Sequence, residues 1–197
     1  MKKLHYFVVA MVLCILSSCT NNSQRDSKDV ADSINEVKID SAERDSMNMA
    51  AISVGEKDTE FATEAANGGM LEVELGTLTK TNALDAKVKD FGAMMVNEHS
   101  KVNEELKTLA QTKNIALPAT IDRDNQNIKD DLAKKIGKDF DKAYVDLMVK
   151  DHKDDIKEFE EAFEKVKDPD LKAFINKTLP TLRAHLRAIE EIQKQRK

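Results

Sequence analysis

From Asp58 to the end of the chain, apolar residues recur at steps of three and four, and a few polar residues fall on the same stripes. The first stripe is Phe61, Glu64, Gly68, Leu71, Leu75 and Leu78. The second is Val88, Gly92, Met95, His99, Val102, Leu106 and Leu109. Val145, Met148, His152, Ile156, Phe159, Phe163 and Val166 make the third. Leu171, Phe174, Thr178, Leu182, His185, Ile189 and Ile192 make the fourth. Such a period is the buried face of an amphipathic helix. Asn82 and Asp85 supply a start signal for the second helix. Asp168-Pro169-Asp170 opens the fourth, with proline at the first helical position, where its missing N–H costs nothing. Pro180 is expected to kink or loosen that helix and to free the Asn176 carbonyl.

Short turns join the first two helices and the last two, so the pattern predicts two helical hairpins. Residues 114–138 form a longer middle connection, with a short helix expected over 124–136 and closed by Gly137. The expectation is an all-α domain over 56–197, a four-helix bundle whose middle connection is long enough for a crossover. Composition agrees: there is no Trp, and only six Gly and three Pro in 197 residues, so little breaks the helices.

Residues before this domain read differently. Met1-Lys2-Lys3 precedes an apolar run over 6–16 and then Ser17-Ser18-Cys19, the layout of a secretory signal. The run is shorter than the roughly 20 apolar residues a membrane-spanning helix needs. Leu16-Ser17-Ser18-Cys19 resembles the bacterial lipobox. That reading makes residues 1–18 a signal peptide, Cys19 the lipidated first residue, and the membrane a partner through the lipid. The expected location is the cell envelope, on the periplasmic side or at the outer membrane. Residues 20–55 are polar, cannot offset the entropy of folding, and are expected as a disordered spacer with at most a short helix near 34–39. Cys14 leaves with the signal, so no thiol remains for a disulfide or a nucleophile. The net charge of −5 gives no general attraction to nucleic acid. Nothing in the sequence names a protein partner.

Two segments repeat: Met94-Met95-Val96-Asn97-Glu98-His99 and Leu147-Met148-Val149-Lys150-Asp151-His152. His152 and His185 lie at nearly equal distances on either side of Pro169, which puts them at one height in an antiparallel hairpin. Reflection of His99 about Asn82 falls on Ala65, beside Glu64. The expected layer is therefore Glu64, His99, His152 and His185. Glu72 lies seven residues beyond Ala65, about 10 Å away at ~1.5 Å per residue. Imidazole and carboxylate suit a transition metal such as Zn, Fe or Cu. Met95 and Met148, one turn before the histidines, would favour Cu if their sulfurs joined. Glu98 and Asp151, next to the histidines, complete the candidate set. The competing reading is a non-catalytic structural or interaction module, with a buried hydrogen-bonded histidine network and no ligand.

On these residues the chain resembles the domain of unknown function 4142 family of exported bacterial proteins. The resemblance is carried by Phe61 with Ala65-Ala66 and by the run Gly69-Met70-Leu71-Glu72-Val73-Glu74-Leu75-Gly76. The two Met-Val-x-acid-His segments, Phe140-Asp141-x-x-Tyr144, and Leu179-Pro180 with His185 complete it. It implies a ferritin-like bundle and an envelope location, and it directs attention to Glu72. It implies no settled activity; stress protection is one role that fits the setting. A di-iron centre of the ferritin type needs Glu-x-x-His. Val96, Val149 and Leu182 stand three residues before the histidines, so that centre is not expected. No nucleophile motif or phosphate loop is present, which points away from catalysis.

Overall fold

The computed structural model describes residues 26–44 and 54–196. The expected signal peptide, Cys19 and parts of the expected spacer lie outside the described residues. The described chain is all-helical, with six helices and no strand. They are α1 (Ser27–Arg44), α2 (Glu56–Asn82), α3 (Ala86–Thr112), α4 (Arg123–Ala133), α5 (Gly137–Lys165) and α6 (Pro169–Gln195). None of them is long and apolar enough to cross a membrane.

The four long helices are the four predicted stripes. α2 packs on α3 and α5, and α6 packs on α5 and α3. Buried aspartates fix the register at both ends. At one end, Asp58 at the start of α2 accepts hydrogen bonds from the Lys167 and Asp168 amides in the α5–α6 turn. At the other, Asp141 near the start of α5 accepts from the Leu84 and Asp85 amides in the α2–α3 turn. Each hairpin thus satisfies the backbone donors of the other hairpin's turn, which would otherwise be orphaned. α2 and α6 run one way, and α3 and α5 the other. α4 carries the chain back along the molecule from the end of α3 to the start of α5, lying on α2.

Three local expectations change. Part of the segment expected as a spacer is an 18-residue helix, α1, docked against α2. Its anchor is polar and so has no apolar signature. Asn35 is buried, donates to the Ala116 carbonyl and accepts from the Ala116 amide. Gly137, with φ of 62°, opens α5 rather than closing α4. At Pro180 the change is only of extent: α6 is one helix on both sides of the proline.

The apolar core has two parts. One gathers Phe61, Leu106, Phe159, Phe174 and Ile175 near the end that holds the α5–α6 turn. The other gathers Leu75, Phe91, Met95, Phe140, Met148 and Ile189 towards the opposite end. Between them the stripes turn polar.

Candidate metal centre

One side chain from each long helix meets in that gap: Glu72, His99, His152 and His185. None is more than 3% exposed. The imidazole centroids lie 5.2 Å apart for His99 and His185, 5.4 Å for His152 and His185, and 5.9 Å for His99 and His152. Glycines bring α2 and α3 close enough for this. A Cβ on Gly92 would fall 2.0 Å from Thr79 Oγ1, and one on Gly76 would fall 2.7 Å from the Gly92 carbonyl oxygen. Gly76 is one turn from Glu72, and the close crossing leaves Glu72 Oε2 2.5 Å from His99 Nδ1.

A chain of contacts leads from Glu72 outward. His99 Nε2 is 3.3 Å from His185 Nδ1, and His185 Nε2 is 2.8 Å from Glu98 Oε2. Burial lowers the basicity of His185, and that of His99 to about 4, so both rings are neutral near pH 7. A neutral His185 that donates to Glu98 must accept at Nδ1, and His99 must then accept from Glu72. Glu72 is suited to that: burial first, and then the nearby Asp151, push its pKa well above the usual carboxylate range.

His152 differs. Its Nδ1 lies 3.0 Å from the Met148 carbonyl, which can only accept, so Nε2 is a bare lone pair. Burial lowers the His152 pKa to about 3. Nε2 faces Glu72 Oε1 at 3.4 Å. Neither atom has a hydrogen-bond partner, and neither does the buried Asp151 Oδ2. Glu72, Asp151 and His152 each offer a ligand atom within 4.8 Å of the other two, as do the three histidines among themselves. Orphaned buried acceptors are rare and costly. Glu72, Asp151 and His152 each hold one, and the ligand groups of these three residues stand close enough together to fit a cation.

Glu72 and Asp151, together with His99, line a cleft of about 230 Å³ walled by residues of all four long helices. Its walls include Glu64, Glu72, Asp151, Asp155 and Glu158. Crowding of these acids shows in their protonation. Burial raises the Asp151 pKa to about 6. Burial, then Glu72 and Asp151, raise Asp155 strongly. Burial, then Glu64, raise Glu158 to about 7.

The family model for domain of unknown function 4142 matches residues 43–192. The chain belongs to this family. In this family member the match spans α2, α3, α5, all but the last three residues of α6, and every residue of the polar layer. No curated protein and no solved structure matches the chain.

Among the predicted site residues, the three histidines do share one level. Glu64 does not join them: it is 44% exposed, pairs with Lys28 on α1 and stands at the edge of the cleft. Glu72 takes the place expected for Glu64. The error lies in the turn, which centres on Leu84 rather than Asn82. Reflection of His99 about Leu84 falls on Gly69, three residues from Glu72, or about 4.5 Å at ~1.5 Å per residue. Glu98 supports His185, and Asp151 faces the cleft. Met95 and Met148 pack in the apolar core, where Met148 serves the layer through its carbonyl rather than its sulfur. Asp155 and Glu158 were not predicted. Asp155 stands three residues after His152 and four after Asp151, a spacing that places all three on one helix face.

Proposed function

We propose that the chain is a lipid-anchored envelope protein that binds one divalent transition-metal ion at Glu72, Asp151 and His152. The observation that carries this reading is the closeness of Glu72, Asp151 and His152, each of which also holds a buried, unpartnered acceptor atom. Two carboxylates and an imidazole suit Zn, Fe or Mn better than Cu, because no thioether joins them. His99, His185 and Glu98 orient Glu72 and supply an outer hydrogen-bonded shell, as such centres require. The ion would balance the carboxylates of the cleft. Anchorage at Cys19 rests on the lipobox sequence. The helix directions and the α4 return support a ferritin-like four-helix bundle with one crossover.

The experiment is metal uptake by the purified chain, stripped with a chelator and titrated calorimetrically with Zn²⁺, Mn²⁺ and Fe²⁺. One ion per chain is expected, lost in Glu72→Gln. Folded wild-type protein that takes up none of the three would overturn the proposal. It would favour the second reading, a structural network, which the continuous contacts from Glu72 to Glu98 support.

A further inference from the structure

Helix α1 places a positive charge at the edge of the acidic cleft. Lys28 Nζ is 2.8 Å from Glu64 Oε1 and 2.9 Å from Asp32 Oδ2, with the Lys28 side chain only 19% exposed. Glu64 belongs to the cleft wall together with Glu158, Asp155 and Asp151. Burial works against the Lys28 charge, but its hydrogen bonds to Glu64 and Asp32 hold the ammonium above its ordinary range. The same charge reaches Glu158, whose pKa it draws down against the surrounding acids.

The way α1 is attached differs from the rest of the molecule. Only Ala31 and Asn35 of its described side chains are buried. Polar contacts hold it: Asn35 on Ala116, Ser27 Oγ accepting from the Ala119 and Thr120 amides, and Asp32 accepting from Thr63. Lys38 donates to the Asn114 carbonyl. The apolar contribution of α1 is small: Ala31 is buried, and Ile39 and Ala42 pack partly buried against the core. Hydrogen bonds exchange with water for a small net gain each, so this helix is held less firmly than the four long ones. Nearly all of α1 also precedes the family match, which begins at residue 43. The cleft lies within the match, and the lysine is brought from outside it.

We propose that α1 is an autoinhibitory arm, with the Lys28 ammonium acting as a built-in cation at the Glu64 edge that holds down the cleft's affinity for divalent ions. Displacement of the arm would leave Glu64 and Glu158 uncompensated and strengthen ion binding. The proposal rests on the cleft binding a cation. A divalent ion at Glu72 and Asp151 and an ammonium at Glu64 repel each other across one cleft, and salt screens the effect.

The test compares the full chain with Lys28→Met, which keeps the apolar stem and removes the charge, and with Arg44→Met as a control on the same helix, where the exposed Arg44 pairs with Asp40 of α1 itself. Zn²⁺ affinity is measured by competition with a chromophoric chelator at low and high salt, with folding checked by circular dichroism. Lys28→Met is expected to bind Zn²⁺ about three- to tenfold tighter at low salt, with a smaller gain at high salt. Arg44→Met is expected to match the wild type. Unchanged or weaker binding by folded Lys28→Met overturns the arm. If no variant binds Zn²⁺, the metal reading fails, and the arm is judged on the metal-free chain by NMR titration of the Glu158 carboxyl. A higher Glu158 pKa in Lys28→Met supports the coupling of arm to cleft, and an unchanged one refutes it.

Discussion

The segments ending in His99 and His152 are almost the same text, and their histidines have opposite surroundings. His99 uses both ring nitrogens, one against Glu72 and one against His185. His152 spends one nitrogen on its own helix and leaves the other bare. The preceding acids diverge as well. Glu98 is 38% exposed on its side chain and reaches across to His185, whereas Asp151 points an unpartnered oxygen inward. The cause lies in what each helix faces. The α3 segment packs between α2 and α6, where partners saturate it. Across from the α5 segment, the neighbours of the free His152 nitrogen and of Asp151 are other acceptors. A repeated motif therefore marks a common level in the fold, and the role of each copy is set by the elements across from it.

The sharpest way to break this comparison is to delete each histidine. His152→Ala removes a proposed ligand and is expected to weaken Zn²⁺ binding by more than about 100-fold. His99→Ala removes only a residue that orients Glu72, for which a loss of about 10–100-fold is typical. Equal losses in calorimetric titration would mean that the two copies share one role.

The paired acids separate on stability. Asp151 has a folded pKa of about 6, above its unfolded value, so its ionisation opposes folding. The contribution of this group to stability is fully present below about pH 4 and is lost as pH rises through about 6. Asp151→Asn should therefore stabilise the metal-free protein by about 1–3 kcal/mol above pH 6, with the gain vanishing near pH 4. Glu98→Gln should instead destabilise by about 1 kcal/mol through its weakened bond to His185. Urea unfolding of both variants at pH 4 and pH 8 checks this. The histidines act in the other direction. With folded pKa values of about 4 and about 3, His99 and His152 contribute stability that is present above about pH 6.5 and lost as pH falls through those values.

The smallest effect is expected at Glu64. Glu64→Gln should change Zn²⁺ affinity by less than about fivefold, as a screened charge at the cleft edge does. A loss as large as that of Glu72→Gln would restore Glu64 to the set of ligands.

Much of the fold is readable from the stripes, because burying one helical face demands a period that cannot be hidden. His99, His152 and His185 are readable for the same reason, as polar residues on apolar stripes. The choice between Glu64 and Glu72 is not, because a shift of two residues in a turn moves its reflected partner by four. α1 escapes notice because its apolar contacts are few, Ala31, Ile39 and Ala42, and Asn35 and Ser27 bind backbone groups of a distant loop. Asp155 escapes notice because the ferritin comparison directs attention to the residues before each histidine and not to those after it.

By itself the sequence determined an all-helical chain, four long helices in two hairpins, a shared level for three histidines, and membership of its family. The helices, the hairpins and the shared level follow from periodicity and spacing along the chain, and the family from the matching motifs. Only the tertiary structure decided that Glu72 enters the layer, that His152 and not His99 keeps a free nitrogen, and that Lys28 stands beside the cleft. Each of these depends on distances between helices, set by close glycine crossings and by aspartates that clamp the turns, and such distances have no period to betray them.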